Sequence, residues 1–322
     1  MSVVVCVGHT ALDRVFGVEA VVQPPAKVRA TSFVEIGGGM AGNAAVAVAH
    51  LGGTARFWGP AGDDDIAERM HADFVHHGVD ATHMRRFAGK HSSHSVILVD
   101  ARGERLIINA RGDALSVAAD WLPLGSLGNL STLGTLGALG TLVTLPACDA
   151  LLADVRWPIG SRAALGAARK AGIPTVVDGD TAEPEVLREL AGLADYCVFS
   201  EPGFRSFNHG TAGSDDIATG LGDAIALGAR VAAVTLGERG CAWLDADQPG
   251  NLHFTPAYPV KAVDTTGAGD AFHGAIALLA AEKVPLEVMF RFASAAAAIK
   301  VGRAGARSMP SRSEVEQFLV AH

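Results

Sequence analysis

The densest run of chemically useful residues is Asp264-Thr265-Thr266-Gly267-Ala268-Gly269-Asp270, placed directly before a long apolar stretch. Glycines let successive backbone N–H groups converge on one point, and a helix opening there adds the partial positive charge of its N-terminus. Together they make an anion hole suited to a phosphate. Asp270 falls in the first turn of that helix. A carboxylate there complements the helix dipole, yet it also opposes any anion bound beside it. The conflict points to chemistry: a hydroxyl gives up its proton next to the phosphoryl group it attacks.

A second cluster, Gly37-Gly38-Gly39-Met40-Ala41-Gly42-Asn43, matches G-x-G-x-x-G through Gly37, Gly39 and Gly42. A dinucleotide site would place this loop after the first strand and an acid at the end of the next. Here the first strand runs instead into Gly8-His9-Thr10-Ala11-Leu12-Asp13, and the strand after the loop ends Trp58-Gly59-Pro60. No Gly-Lys is followed by Ser or Thr, so a P-loop is absent too. His71, His76 and His77 share a helix without the i, i+4 spacing of a zinc site, and no Cys or carboxylate completes a cluster. His91 and His94 are candidates to face a substrate.

These residues have to be held by a frame, and the apolar pattern predicts one. A continuous apolar run at Val3–Gly8 suits a strand buried on both faces, and further strands are expected at Ala55–Trp58, Leu151–Val155, Thr175–Asp178, Cys197–Ser200 and Val231–Leu236. Helical stretches fall at Ala41–Leu51, Ile66–His76, Ser161–Ala171, Pro184–Ala191, Ala268–Ala281, Leu286–Ile299 and Ser313–Ala321. The alternation predicts an α/β fold: a doubly wound, mostly parallel sheet with helices on both faces, formed by residues 1–322 as one domain. Segments 13–36 and 94–109 are strand-like with no helix between, the latter a hairpin across Arg102-Gly103; they predict a small β lid. Over 121–148, Leu recurs every third residue from Leu124 to Leu145 with Gly behind it, a period that fits neither helix nor strand. This stretch is expected to be a low-complexity insertion. It carries no charge, but its Gly, Ser and Thr content argues against a membrane span.

Composition narrows the class further. Of 322 residues, 49% are hydrophobic and 19% charged, which suits a folded domain and excludes general disorder. The balance of 26 basic against 34 acidic residues gives −8, so nucleic acid and anionic membrane are not expected partners. Four cysteines, Cys6, Cys148, Cys197 and Cys241, make neither a C-x-x-C pair nor a disulfide framework. With no signal-peptide pattern near Val3–Val7, a cytoplasmic location is expected.

At 264–270 the chain resembles the ribokinase-like (PfkB-type) sugar kinases, and the resemblance extends over nearly the whole chain except 121–148. Its motifs are D-T-T-G-A-G-D at 264–270, G-G-G-x-x-x-N at 37–43 and G-x-x-G-D-D at 59–64. The resemblance implies transfer of a phosphoryl group from ATP, with Mg²⁺, to a sugar hydroxyl. By position it implies Asp270 as base and the amides of Gly267, Ala268 and Gly269 as the anion hole. It implies that Asp13, Gly38, Gly39 and Asn43 contact sugar hydroxyls. Thr235, Gly237 and Gly240 match its nucleotide loop, and Ser294 and Ala297 would flank adenine. The family's N-x-x-E motif is displaced here to Ser200-Glu201-Pro202-Gly203. Glu201 then either acts on Mg²⁺ through water or is an ordinary surface acid.

Gly103–Asn109, Leu152–Trp157, Asp178-Gly179-Asp180 and Phe199–Gly203 look like the sulfofructose kinase branch. That branch phosphorylates the 1-hydroxyl of 6-deoxy-6-sulfofructose and reads the sulfonate with residues matching Lys27, Asn109 and Arg156. A donor-only cluster suits a permanent anion, though a 6-phosphate of fructose or tagatose presents the same oxygens. Each residue also has an ordinary alternative: a solvated lysine, a turn asparagine, a surface ion pair. A non-catalytic sugar-binding regulator and a nucleoside kinase are the other classes. A homodimer through the lid is expected, because an exposed sheet needs cover.

Overall fold

A computed structural model describes residues 1–21, 27–100, 105–126, 148–208 and 216–322. Strand β1 (Val3–Val7), five apolar residues in a row, lies inside a nine-stranded sheet. On one side of it run β4 (Thr54–Gly62) and β5 (Asp80–Phe87). On the other run β8 (Ala150–Asp154), β9 (Thr175–Gly179), β10 (Tyr196–Ser200) and β11 (Val231–Thr235), all parallel. Two antiparallel strands, β12 (Cys241–Asp245) and β13 (His253–Thr255), close that edge. The strand order reverses between β1 and β8, which is where ligands bind in open α/β sheets.

Helices cover both faces, as the alternation predicts. One face carries α1 (Met40–His50), α2 (Asp65–His76), α7 (Ala268–Ala281) and α8 (Leu286–Val301), with α9 (Arg312–Ala321) against α8. The other carries α3 (Pro158–Lys170), α4 (Pro184–Ala191), α5 (Glu201–Asn208) and α6 (Ile217–Leu227). Helix α7 is buried from Ala271 through Ala280. A Cβ on its Gly274 would press on Ala44 O and the Ala47 Cβ, so the small residues let α7 approach the Ala-rich α1 closely. That approach brings the starts of the two helices, and hence the two Gly-rich loops, together.

The lid is a four-stranded sheet in the order β3-β2-β6-β7: β3 (Ser32–Gly38), β2 (Ala11–Gly17), β6 (His94–Val99) and β7 (Arg105–Ala110). Its β6–β7 hairpin has the expected strands; the Arg102-Gly103 turn lies outside the described residues. So do Leu127–Leu145 of the Leu-Gly repeat, while Trp121 before it stacks on Trp157 at 5.6 Å.

Five elements are additions to the sequence expectation. β5 alternates polar with buried residues, as an edge strand does, and gives no apolar run. α5 opens on Glu-Pro-Gly and α6 contains two glycines, both poor helix signals. β12 and β13 are short. Strand β4 also runs past the expected Trp58, because Gly59, Pro60 and Gly62 go on pairing with β5.

Candidate active site

The turn before α7 is built as its sequence suggests. Gly267 is the N-cap with φ +81°, a left-handed conformation that favours glycine, and a Cβ there would strike Ala306 O. Asp264 pins the loop by accepting from Thr266 N and Gly305 N, each at 2.9 Å. Lys300, fully buried, donates to Asp264 O (2.9 Å) and Arg303 O (3.2 Å). One expectation is corrected: the Ala268 amide donates to Thr265 O (3.2 Å) within the turn, so it is engaged by the chain itself. Gly269, with nothing within 4 Å of a Cβ position, opens into the adjoining cavity.

Asp270 and Asn43 meet across the interface of the two helices: Asn43 Nδ2 donates to Asp270 Oδ2 at 2.7 Å. Burial pushes the Asp270 carboxyl up to about 8. The neighbouring Asp178 carboxyl adds to the shift, and the Asn43 hydrogen bond opposes it. A carboxyl poised there has the affinity a general base needs near neutral pH. Beneath it lie Asp178, held well above the usual carboxylate range by burial and by the Asp180 and Asp154 charges, and His273. His273 is buried, which lowers its affinity for a proton. Its ring nitrogens stand 2.7 Å from Gly269 O and 3.1 Å from Val198 O, joining the start of α7 to β10.

Asp13 enters from the lid. The register aligns Ile36, Asp13, Ser95 and Asn109 across the four strands, and Asn109 Nδ2 donates to Ser95 Oγ at 3.2 Å. Burial raises the Asp13 carboxyl, while a Ser95 hydrogen bond and the Arg307 charge oppose the rise. A Cβ at Gly38 would overlap the Asp13 carboxylate, and one at Gly39 (φ +86°) would enter the Thr10 backbone. The expected contact residues Asp13, Gly38, Gly39 and Asn43 are thus brought together beside Asp270.

The far-end trio is less united. Lys27 stands exposed on the segment leading to β3. Arg156 does not arrive as an unpaired cation: its guanidinium donates to Asp180 Oδ2 (2.7 Å) and Thr181 O (2.9 Å). The ion-pair alternative for Arg156 is the one observed.

On the other side of Gly269 lies a cavity of about 730 Å³. Thr235, Gly237, Gly240, Ser294 and Ala297 all line it, together with Thr265, Ala268 and Gly269. Its size is that of a cofactor or nucleotide pocket. Glu201, by contrast, is held by Arg239 (2.7 Å) and Arg205 (2.6 Å), and the Arg239 bond holds its carboxyl below the usual range. Among the described residues no group of three His, Cys, Asp or Glu side chains could hold a metal ion. Mg²⁺ commonly keeps its waters and binds through substrate phosphates with few protein ligands, so the donor set fits an ion that arrives with a nucleotide.

Sequence reasoning missed Arg307, named Asp178 only within a motif and without a site role, and missed His273 and Lys300. The last three sit in apolar-looking segments, and Arg307 lies in a loop that gives no periodic signal.

The family model for pfkB family carbohydrate kinases matches residues 1–312. The chain belongs to the pfkB family of carbohydrate kinases. A solved structure of a candidate ribokinase from Agrobacterium tumefaciens is 35% identical, with a TM-score of 0.87, over 99% of this chain and 98% of that one. A fructokinase of Klebsiella pneumoniae is 31% identical over 262 residues, covering 77% of this chain and 78% of its own. The Arabidopsis thaliana ribokinase solved with ribose and ATP shares the fold, with a TM-score of 0.76 at 23% identity over 99% of this chain and 98% of that one. The pfkB kinase is therefore a phosphotransferase with an alcohol acceptor, on a ribokinase-like frame. Among its described residues no helix is long and apolar enough to cross a membrane.

Proposed function

We propose that this pfkB kinase transfers the terminal phosphoryl group of Mg·ATP to a primary hydroxyl of a sugar, with Asp270 as the base. The observation that carries the reading is the 2.7 Å bond from Asn43 to Asp270, the residue after Gly269 of the 730 Å³ cavity lining. The nucleotide fills that cavity along Thr235, Gly237, Gly240, Ser294 and Ala297. Its phosphates end at Gly267 and Gly269, where the helix terminus offsets the charge that develops on the transferring group. Asp13, Gly38, Gly39 and Asn43 hold the sugar from the lid side. The sugar oxygen bonds to phosphorus as its proton passes to Asp270, and the bond from phosphorus to the ADP oxygen breaks. Glu201, clasped by two arginines, orders the nucleotide loop through Arg239.

For the acceptor, the pairing of Arg156 with Asp180 favours a neutral sugar of the ribose or fructose class, because that guanidinium charge is already matched. The second reading is 6-deoxy-6-sulfofructose at its 1-hydroxyl, favoured by the Lys27 and Asn109 donors at the lid. ADP release at fixed Mg·ATP across ribose, fructose, sulfofructose, fructose 6-phosphate, tagatose 6-phosphate and adenosine decides. Turnover of ribose or fructose supports the first reading. Preference for sulfofructose replaces it, and no ADP with any of them removes the sugar-kinase assignment of this site. We also propose a dimer through the lid, where Phe33, Val34, Ile107 and Ile108 are each about half exposed. A monomer by light scattering refutes it.

A further inference from the structure

We propose that Arg307 is the positioning residue of the catalytic base: its guanidinium fixes the Asn43 carboxamide, and the carboxamide holds the Asp270 carboxylate. The inference rests on Asp270 being the base.

The hydrogen bonds leave one orientation for Asn43. Arg307 Nε donates to Asn43 Oδ1 at 3.1 Å, so the amide nitrogen must face the other way, toward Asp270 Oδ2 at 2.7 Å. With the carboxamide turned over, its N–H₂ would face a guanidinium, and its oxygen would face Asp270 in the ionised form that a base must take. Both contacts repel. Arg307 therefore sets which end of Asn43 the base meets.

The guanidinium is itself fixed on every side. Nη2 donates to Thr10 Oγ1 (3.2 Å) and Gly38 O (3.1 Å), and Nη1 pairs with Asp73. Its plane lies over the Phe74 ring at 4.6 Å, and its side chain is only 4% exposed. The charged groups facing it are Asp73 from α2, Asp13 from the lid and Asp270 from α7. His77 stands 3.9 Å behind Asp73, and His50 lies 3.0 Å from His77. One buried cation thus ties the Gly38 loop that faces the sugar to the amide that faces the base.

Two glycines of the 37–43 loop exist to admit it. A Cβ on Gly37 would overlap the guanidinium, and one on Gly42 would lie 2.8 Å from Nη2. The G-x-G-x-x-G spacing therefore makes room for an arginine from the other end of the chain. It is no dinucleotide fingerprint.

The test compares R307K, R307M, N43A, the double variants and D270N. R307K keeps the charge opposite Asp73 but lacks the Nε–H that fixes Asn43. It is expected to fold and to lose about tenfold in kcat, more than it loses in KM for ATP. R307M is expected to lose about 10- to 100-fold. It should also move the acid limb of kcat/KM upward by about one pH unit, because the bond that favours the carboxylate loosens. If Arg307 acts through Asn43, then R307K in an N43A background costs less than about twofold. Full kcat in R307K, or a cost in N43A equal to that in the wild type, overturns the proposal. If R307M does not fold, R307K and its double variant carry the decision alone. D270N separates the two failures: normal turnover there removes the base reading itself. A dead D270N beside a fully active R307K removes only the role of Arg307.

Discussion

The two Gly-rich loops look alike in sequence and differ in what fills the space their glycines leave. In the 37–43 loop the protein fills it: side chains of Asp13, Arg307 and Thr10 and the Thr10 backbone occupy the Cβ positions of Gly37, Gly38, Gly39 and Gly42. Around the cavity the glycines divide: Gly267 and Gly240 meet the backbone oxygens of Ala306 and Thr255, whereas Gly237 and Gly269 have nothing within 4 Å. The first loop is a packed joint that must be rigid, since it orients Asn43. On the proposed function the second is a cradle for the nucleotide phosphates. Counting glycines does not separate these roles; their surroundings do.

Substitution at the junction of the two loops gives the largest expected effect. D270N is expected to lower kcat by about 10³- to 10⁴-fold while sugar binding persists by calorimetry. Its stability should move the other way. Because the folded carboxyl is raised to about 8, the native state holds a proton that the unfolded chain has already lost above its ordinary carboxylate range. The wild type therefore loses stability as pH rises from about 4 to about 8, and D270N escapes this particular loss. Melting temperatures from pH 5 to 8 should show the gap between variant and wild type widening with pH. A constant gap would mean that the carboxyl is not held protonated.

Next comes the contrast between the loops. Gly39→Ala places a side chain at φ +86° against the Thr10 backbone and is expected to cost about 1–3 kcal/mol of stability, read as a lowered Tm. Gly269→Ala meets no protein atom and should leave Tm unchanged, yet raise KM for ATP by about tenfold as the methyl enters the phosphate path. If both variants lose stability and neither changes KM selectively, the distinction between joint and cradle fails. The smallest effect is in the wild type: kcat/KM should rise with pH through about 8, the acid limb of a base that must lose its proton. A flat profile from pH 6 to 9 would place the controlling group elsewhere.

Much of the frame was legible because its physical signals are local. β1 is a short apolar run bounded by turn residues, and Pro184–Ala191 and Ala268–Ala281 end where their helix signals end. The lid was legible from strand-like segments with no helix between them, and the lining of the cavity from the resemblance to the family's nucleotide loop. What escaped was polar and distant. β5 hides as an edge strand whose polar residues break the pattern. Arg156 has the residue type expected of an anion reader, but its pairing with Asp180, across 24 positions, is visible only in space.

The sequence by itself determined the parallel sheet, the helix that opens on a Gly-rich turn, and Asp270 as the carboxylate at its start, since these follow from apolar periodicity and the chemistry of short motifs. Only the tertiary structure decided what holds that carboxylate. Asn43 lies 227 positions from Asp270, and Arg307 lies 264 from Asn43; they meet because small residues let α1 and α7 pack closely and because Gly37 and Gly42 leave room for a guanidinium. Pairings of that range are set by how the surfaces fit, and no local pattern encodes the fit.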